Sequence, residues 1–349
     1  DIPGKIAQAI EAFAPEVVGL SIRNIDNVIH QRFDSPLQLL QAQIAVIRKK
    51  ARSAEGQPVP LVLGGPAISI LAEKVLPLFG ADYAIVGEGE AVFPALLTAL
   101  AKGASPARLP GLCYWQDGVA KRNPSTLLPG FVDSGMQQWI DWAPYQHAGG
   151  TWPIQTKRGC PMHCVYCAYP LVEGRRFRQR EPKEVVDEIE RVLRQHRPRT
   201  FEFVDSTFNL PASHSIAICE EIIRRGVKAQ FTAMGVNPLD VPPELFPLMK
   251  RAGFNSVTPE AGNDTILKKF GKDFSMRQVN LCLERVAAAG LKSMWFFMLG
   301  GPGETMATCE ESIRFAETRL TGKNFITVFF TGVRILPGTA LARKVIEDG

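Results

Sequence analysis

Along most of the chain, short unbroken apolar runs alternate with longer stretches whose apolar positions recur every three or four residues. Ile6, Ala9, Ile10 and Phe13 keep helical spacing, so residues 4–14 read as a helix that Pro15 ends. Val17-Val18-Gly19-Leu20-Ser21-Ile22 follows as a buried strand. Ser35-Pro36 starts a second helix, with proline at its first position and Leu37, Leu40, Ile44 and Ile47 on one face. A strand from Val59 to Leu63 runs into Gly64-Gly65-Pro66, and a helix near 67–78 turns Leu71, Val75 and Leu78 inward. A third strand, Tyr83 to Val86, runs into Gly87-Glu88-Gly89-Glu90 ahead of a helix near 90–101. Strands that alternate with helices predict a parallel, doubly wound sheet, which binds its ligands at the carboxyl ends of the strands.

The texture changes over residues 104–150, where prolines are spread among glycines. Leu112-Cys113-Tyr114-Trp115 and Val119-Ala120-Lys121 flank Gln116-Asp117-Gly118, which predicts a small hairpin within a linker. Beyond it the alternation resumes, with strands near 153–157, 200–204, 229–233, 254–258, 292–298 and 325–330. Helices near 181–196, 213–225, 242–251, 264–270, 275–289 and 305–318 lie between them. Six βα units predict a partial barrel of the TIM type, with its chemistry at the carboxyl ends of the strands. The expected organisation is therefore a Rossmann-like domain over 1–103, a linker over 104–150 and a barrel over 151–349.

Composition adds limits rather than identity. An apolar fraction of 46% and a charged fraction of 21% are ordinary for a globular protein. The net charge of +5, from 40 basic and 35 acidic residues, is too balanced to argue for nucleic acid. No apolar run has the length of a membrane span, and Asp1-Ile2-Pro3-Gly4-Lys5 lacks a signal-peptide pattern. Seven cysteines, three of them clustered, point to metal rather than disulfides and to a reducing cytoplasm.

The cluster is Cys160, Cys164 and Cys167, in Arg158-Gly159-Cys160-Pro161-Met162-His163-Cys164-Val165-Tyr166-Cys167. Three thiolates on a [4Fe–4S] cube leave one iron open to a substrate, whereas four would make an electron carrier. Structural zinc, the rival, wants four N or S ligands, and His163 sits inside the loop where one ion is awkward to enclose. Three unliganded thiols are the remaining reading.

This spacing, with an aromatic before the third cysteine, closely resembles the radical S-adenosylmethionine (SAM) superfamily. The resemblance implies that the open iron chelates SAM and that an electron from the cluster yields a 5′-deoxyadenosyl radical. It also assigns Tyr166 to the cofactor site, Asp205 to the SAM amino group, Glu260 to the ribose hydroxyls, and Gly300 and Gly301 to the methionine or adenine portion. Leu336-Pro337-Gly338-Thr339 is a further element the family often carries. Residues 1 to about 103 resemble the cobalamin-binding domain that precedes a subset of these enzymes. There Ser21, Ile22 and Arg23 after one strand, Gly64, Gly65 and Pro66 after the next, and Gly87, Glu88 and Gly89 after the third are implied to contact the cofactor. The family's Asp-x-His-x-x-Gly element lies upstream of the serine where it occurs, and the chain begins too late to include it. The chain is accordingly expected to be part of a longer protein, incomplete at its first domain and at the end of its barrel.

Several residues have a plainer reading. His30 reads as a solvated loop histidine, and Arg175, Arg176, Arg178 and Arg180 as a solvated basic run. Trp139, Trp142 and Trp152 read as packing, and Cys113, Cys219, Cys282 and Cys309 as small apolar residues. Met234, Met294 and Met298 read as core, with contact to SAM the alternative.

The resemblance implies a cobalamin-dependent radical SAM methyltransferase acting on a carbon, or similarly inert, centre of a small-molecule or peptide substrate. Its cofactors would be a [4Fe–4S] cluster, SAM and cobalamin, and its electron donor a flavodoxin or ferredoxin. Ring formation or rearrangement on the same architecture is the nearest alternative. A cobalamin-binding sensor with an Fe–S module is the non-enzyme one, and no acid or base catalyst stands out.

Overall fold

A computed structural model of the protein describes residues 2–24, 36–131 and 133–348. It divides the chain into two units, Asp1–Leu128 with Leu171–Glu173, and Pro129–Pro170 with Gly174–Gly349.

The first unit is built on β1 (Val18–Ser21), β2 (Leu61–Gly64), β3 (Tyr83–Ile85), β4 (Leu112–Gln116) and β5 (Val119–Arg122), adjacent in that order. β1, β2 and β3 are parallel, and helices Ile2–Phe13, Pro36–Lys50, Pro66–Leu78 and Gly89–Ala101 accompany them. Alternate residues of β2 feed two separate cores, Leu61 and Leu63 packing with Ile44, Ile47, Ile68 and Val75, and Val62 with Ile85, Val92 and Leu96. Both faces are thus covered, as continuous apolar strands require. The predicted hairpin forms, but it is not linker: β4 pairs antiparallel with β3 through Ala84↔Cys113 and extends the sheet. The first unit therefore runs past the expected boundary at 103, because the apolar Leu112 and Cys113 are fully buried against it. The stretch containing His30 lies outside the described residues.

The second unit holds β6 (Trp152–Ile154), β7 (Lys157–Arg158), β8 (Arg178–Gln179), β9 (Phe201–Phe203), β10 (Phe231–Val236), β11 (Phe254–Pro259), β12 (Lys292–Leu299) and β13 (Phe325–Thr331). Six of them form one parallel sheet in the order β13-β12-β11-β10-β9-β6, which is the partial barrel predicted. Its outward residues are sealed under helices: Trp152, Phe201, Phe203, Phe231, Phe254, Trp295 and Phe297 are almost completely buried and share one core. Trp142 stacks edge-on with Trp152, while Trp139 is 85% exposed, so only two of the three tryptophans pack. β7 and β8 form a separate antiparallel ribbon that the apolar pattern did not reveal, since neither strand carries an apolar residue. Among the described residues no helix is long and apolar enough to cross a membrane.

Candidate cofactor site

The ribbon β7–β8 closes a loop over residues 159–177 that carries the three thiols. Gly159 has φ +88°, and a Cβ there would run into the Arg176 carbonyl, so only glycine lets the two ends of the loop meet. Inside it, the Cys160 N–H donates to the Gly174 carbonyl (3.0 Å) and that of Cys167 to the Cys164 carbonyl (3.2 Å). Burial pushes the Cys164 thiol up to about 11; the Lys272 ammonium opposes this, while Glu260, Cys167 and Cys160 add to it. Burial likewise pushes Cys167 up. Such thiols hold their protons until a metal displaces them.

Among the described residues no three His, Cys, Asp or Glu side chains stand close enough to share a single ion. Three thiols brought into one loop are the donor set of a cube with one iron left open. His163 is 73% exposed, and its Nδ1 lies 3.0 Å from Asp273 Oδ1, which turns it away from ligand duty.

A second segment holds this loop. The Phe270 carbonyl accepts from the Val165 N–H (2.9 Å), and the Phe270 ring meets that of Tyr166 edge-on at 5.5 Å. A Cβ on Gly271 (φ +66°) would come within 2.5 Å of the His163 carbonyl oxygen. Lys272 Nζ donates to Tyr166 Oη (2.5 Å), and Asp273 Oδ2 accepts from the His163 N–H (3.1 Å). The Leu341 N–H donates to the Val165 carbonyl (2.8 Å), just beyond the Leu336–Thr339 turn. None of Phe270, Lys272 or Asp273 was anticipated. Residues 270–271 read as an ordinary helix end with glycine one residue past the cap, and nothing local announces what it touches.

Two acidic residues expected to face SAM have opposite surroundings. Asp205 is buried, and its Oδ1 accepts from the N–H groups of Thr156 (2.7 Å) and Lys157 (3.1 Å). Its Oδ2 accepts from the Thr156 hydroxyl (2.5 Å) and from Lys157 Nζ (3.5 Å). These four donors match the four lone pairs of a carboxylate. In the structure Asp205 locks the start of the cysteine loop onto the end of β9. Glu260, directly after β11, keeps capacity. Its oxygens lie 2.5 and 2.7 Å from Lys272 Nζ, and its side chain is 28% exposed. Each oxygen retains a lone pair for a hydroxyl.

Gly300 and Gly301 follow β12. The Gly301 Cα lies against the Phe270 ring, which a Cβ would penetrate, so this glycine is required by packing. Through Phe270 the loop is joined to Tyr166 and the cysteines.

The inner face of the barrel is graded. Strand registers put Thr232, Ser256 and Lys292 near its floor and Met294, Phe296, Met298, Val328 and Phe330 higher up, around Glu260. Met234 joins this wall, with its sulfur 3.7 Å from the Thr258 hydroxyl. Phe296 and Phe330 pair at 5.5 Å, while Phe297 and Phe329 pair separately at 4.9 Å. Met294 and Met298 are half-buried and Met234 is exposed, so they are wall rather than core. Cys113, Cys219 and Cys282 are fully buried as expected, and the basic run divides: Arg180 is buried against Glu188 (2.6 Å) while Arg175 and Arg176 are exposed.

In the first unit, Ser21 and Gly64 are register partners at the carboxyl ends of β1 and β2, beside Gly65 and Pro66. Gly65 has φ +98°, and a Cβ there would stand 2.6 Å from the Ile22 carbonyl oxygen. Among the described residues nothing lies within 4 Å of where a Cβ of Gly64 or Gly89 would be, so the described part of this edge leaves the backbone open, as a bulky ligand needs. Ser69, which sequence did not single out, links two of the predicted turns. Its hydroxyl donates to the Gly65 carbonyl (3.1 Å) and accepts from the Gly87 N–H (3.0 Å). Ile22 contributes only backbone to this edge, its side chain being core, and Arg23 is exposed. Glu88 accepts from the Leu128 N–H (2.8 Å).

An open parallel barrel with three thiols in one loop, preceded by a glycine-edged α/β domain, is the architecture of a cluster-bearing enzyme with an added cofactor domain. The family model of the Radical SAM superfamily matches residues 154–316, and that of the B12 binding domain matches residues 3–97. An uncharacterized methyltransferase of Pyrococcus horikoshii, PH0819, is 28% identical over 320 residues, covering 89% of this chain and 66% of that protein. The tryptophan 2-C-methyltransferase of Streptomyces laurentii is 26% identical over 405 residues, covering 96% and 65%. Among solved structures, the radical SAM methyltransferase TsrM of Kitasatospora setae, with tryptophan and a SAM analogue bound, superposes with a TM-score of 0.86 at 25% identity. That match covers 100% of this chain and 68% of TsrM. The chain thus combines a match to the radical SAM superfamily with a match to the B12 binding domain, a pairing whose cofactors are a [4Fe–4S] cluster, SAM and cobalamin. It spans 65–66% of the length of the two curated relatives.

Proposed function

We propose that the chain forms the cofactor-binding core of a cobalamin-dependent radical SAM methyltransferase, moving a methyl group from SAM by way of cobalamin to a carbon or similarly inert centre. The observation that carries the reading is the three-thiol loop beside an acid with spare lone pairs, Glu260, at the rim of a Met- and Phe-lined wall. When bound, the cluster and SAM supply the radical or methyl chemistry and cobalamin carries the methyl group.

The chain's own residues bind and orient. Cys160, Cys164 and Cys167 hold the cluster, and Glu260 accepts from the hydroxyls of the SAM nucleoside. Tyr166, Gly300 and Gly301 border the same cofactor. Ser21, Gly64, Gly65 and Gly89 offer an open strand edge to the nucleotide tail of cobalamin, with the backbone of Ile22, Arg23, Pro66, Gly87 and Glu88 around it. Met234, Met294, Phe296, Met298 and Phe330 offer an apolar surface to an apolar part of the acceptor, a small molecule or a peptide side chain. Tryptophan, which the Streptomyces laurentii enzyme methylates and which TsrM holds as substrate, is a molecule such a wall suits. A flavodoxin or ferredoxin supplies electrons.

The test is anaerobic reconstitution with iron, sulfide and hydroxocobalamin, then desalting, spectroscopy, and mass spectrometry after SAM and reductant. Retained cobalamin and conversion of SAM to S-adenosylhomocysteine support the reading. Loss of cobalamin on desalting, with SAM cleaved to 5′-deoxyadenosine, would mark a radical SAM enzyme without a cobalamin site. A rearranged product that gains no methyl group would favour the cyclase alternative.

A further inference from the structure

Lys272 is a cation in a place where a cation needs a reason. Its side chain is 3% exposed, and its ammonium contacts Glu260 Oε1 (2.5 Å), Glu260 Oε2 (2.7 Å) and Tyr166 Oη (2.5 Å). Its ammonium donates to Tyr166 Oη and to Glu260 Oε2, with Glu260 Oε1 completing the ion pair. The phenol oxygen, rather than the ring face, is its partner on Tyr166, because Nζ is 2.5 Å from Oη and 4.8 Å from the ring centroid. The two residues it joins lie far apart in sequence: Tyr166 stands between Cys164 and Cys167, while Glu260 directly follows β11. Its neighbours fix the backbone that carries it, through the Phe270 carbonyl on Val165, Gly271 against His163, and Asp273 on the His163 N–H. Lys272 therefore cannot shift without moving the cysteine loop.

Burial alone would favour its neutral form, but the Glu260 carboxylate in contact with it outweighs that and holds it protonated. Reduction of a cluster adds negative charge, so a fixed cation nearby favours the reduced form and a fixed anion disfavours it. In a low-dielectric surrounding neither effect is screened as it would be in water.

We propose that Lys272 is a positioning residue of the cofactor site. Its ammonium ties Glu260 to the cysteine loop, so that the acid and the cluster keep one geometry for SAM, and its charge raises the reduction potential of the cluster. The inference rests on the cluster and SAM reading above.

The test compares the wild type with Lys272→Met, Lys272→Arg and Glu260→Gln after reconstitution. Midpoint potential comes from electron paramagnetic resonance titration without SAM, and SAM affinity from equilibrium dialysis. Lys272→Met moves the potential to more negative values and weakens SAM binding about ten-fold or more, the size expected for losing a charged hydrogen-bond partner. Lys272→Arg restores most of the potential because the charge returns. Glu260→Gln moves the potential the opposite way, since an anion is removed. If Lys272→Met takes up no iron, the Arg and Gln variants still carry the charge argument. Potentials equal to the wild type in Lys272→Met, or in Glu260→Gln, overturn the proposal. A wild-type chain that takes up no four-iron cluster, or whose cluster signal SAM leaves unchanged, would instead overturn the cofactor reading on which it rests.

Discussion

Asp205 offers the sharpest test of how the site is built, because two roles for it predict different measurements. Its oxygens take the N–H groups of Thr156 and Lys157, the Thr156 hydroxyl and the Lys157 ammonium, and both charged side chains are 0% exposed. Lys157 Nζ also donates to the carbonyls of Thr207 (3.3 Å) and Phe208 (2.6 Å). Asp205→Asn keeps the shape but leaves the Lys157 charge buried without a counter-ion and turns an amide N–H toward other donors. Removing one partner of a buried pair costs about 3–5 kcal/mol, a large share of the ~5–15 kcal/mol that holds a typical domain folded. Lys157→Met is milder: Asp205 keeps three of its four donors, and the main loss is the contact to two carbonyls, about 1–3 kcal/mol. The double variant Lys157→Met/Asp205→Asn should lose less than the sum, since neither charge is then stranded. Urea unfolding of the metal-free protein by circular dichroism measures the stabilities, with a second probe for the first unit because two units need not unfold together. SAM affinity of the reconstituted Asp205→Asn protein at full iron content should stay within about three-fold of wild type, a difference under ~1 kcal/mol. The reasoning is refuted if Asp205→Asn costs under about 1 kcal/mol while SAM affinity falls ten-fold or more, for Asp205 would then be a ligand.

Other consequences are simpler. Gly65→Ala, strained at φ +98° and 2.6 Å from the Ile22 carbonyl oxygen, should abolish cobalamin retention on desalting while cluster content stays at wild-type level. His163→Ala removes an exposed pair with Asp273, so iron content should be unchanged and stability should fall by about 0–1 kcal/mol; loss of one-third or more of the iron would make His163 a ligand after all. Burial pushes the Cys282 thiol up to about 12 from 9.0. A thiol raised on folding stabilises fully below pH 9 and loses that contribution as pH climbs to about 12, so stability relative to Cys282→Ala should fall over that window by about 1.4 kcal/mol per pH unit. Equal pH dependence of the two proteins in urea unfolding would contradict it.

The alternation of apolar runs with helical stretches was enough to draw the six-stranded barrel and the three parallel strands of the first unit. Periodicity is a local property, and each amphipathic face has to be buried wherever the chain goes. Cysteine spacing is local in the same way, since Cys160, Cys164 and Cys167 stand in one loop. What the tertiary structure decided was the state of each polar group. Asp205 and Glu260 both follow strands and read alike in sequence, yet one has its four acceptor positions filled by Thr156 and Lys157 and the other holds lone pairs in reserve. The hairpin of β4 and β5 read as linker because a short apolar pair does not say which sheet will bury it. Lys272 was invisible because its partner Tyr166 lies 106 residues away. A side chain's availability depends on the donors and acceptors that folding brings to it, and those contacts leave no period in the chain.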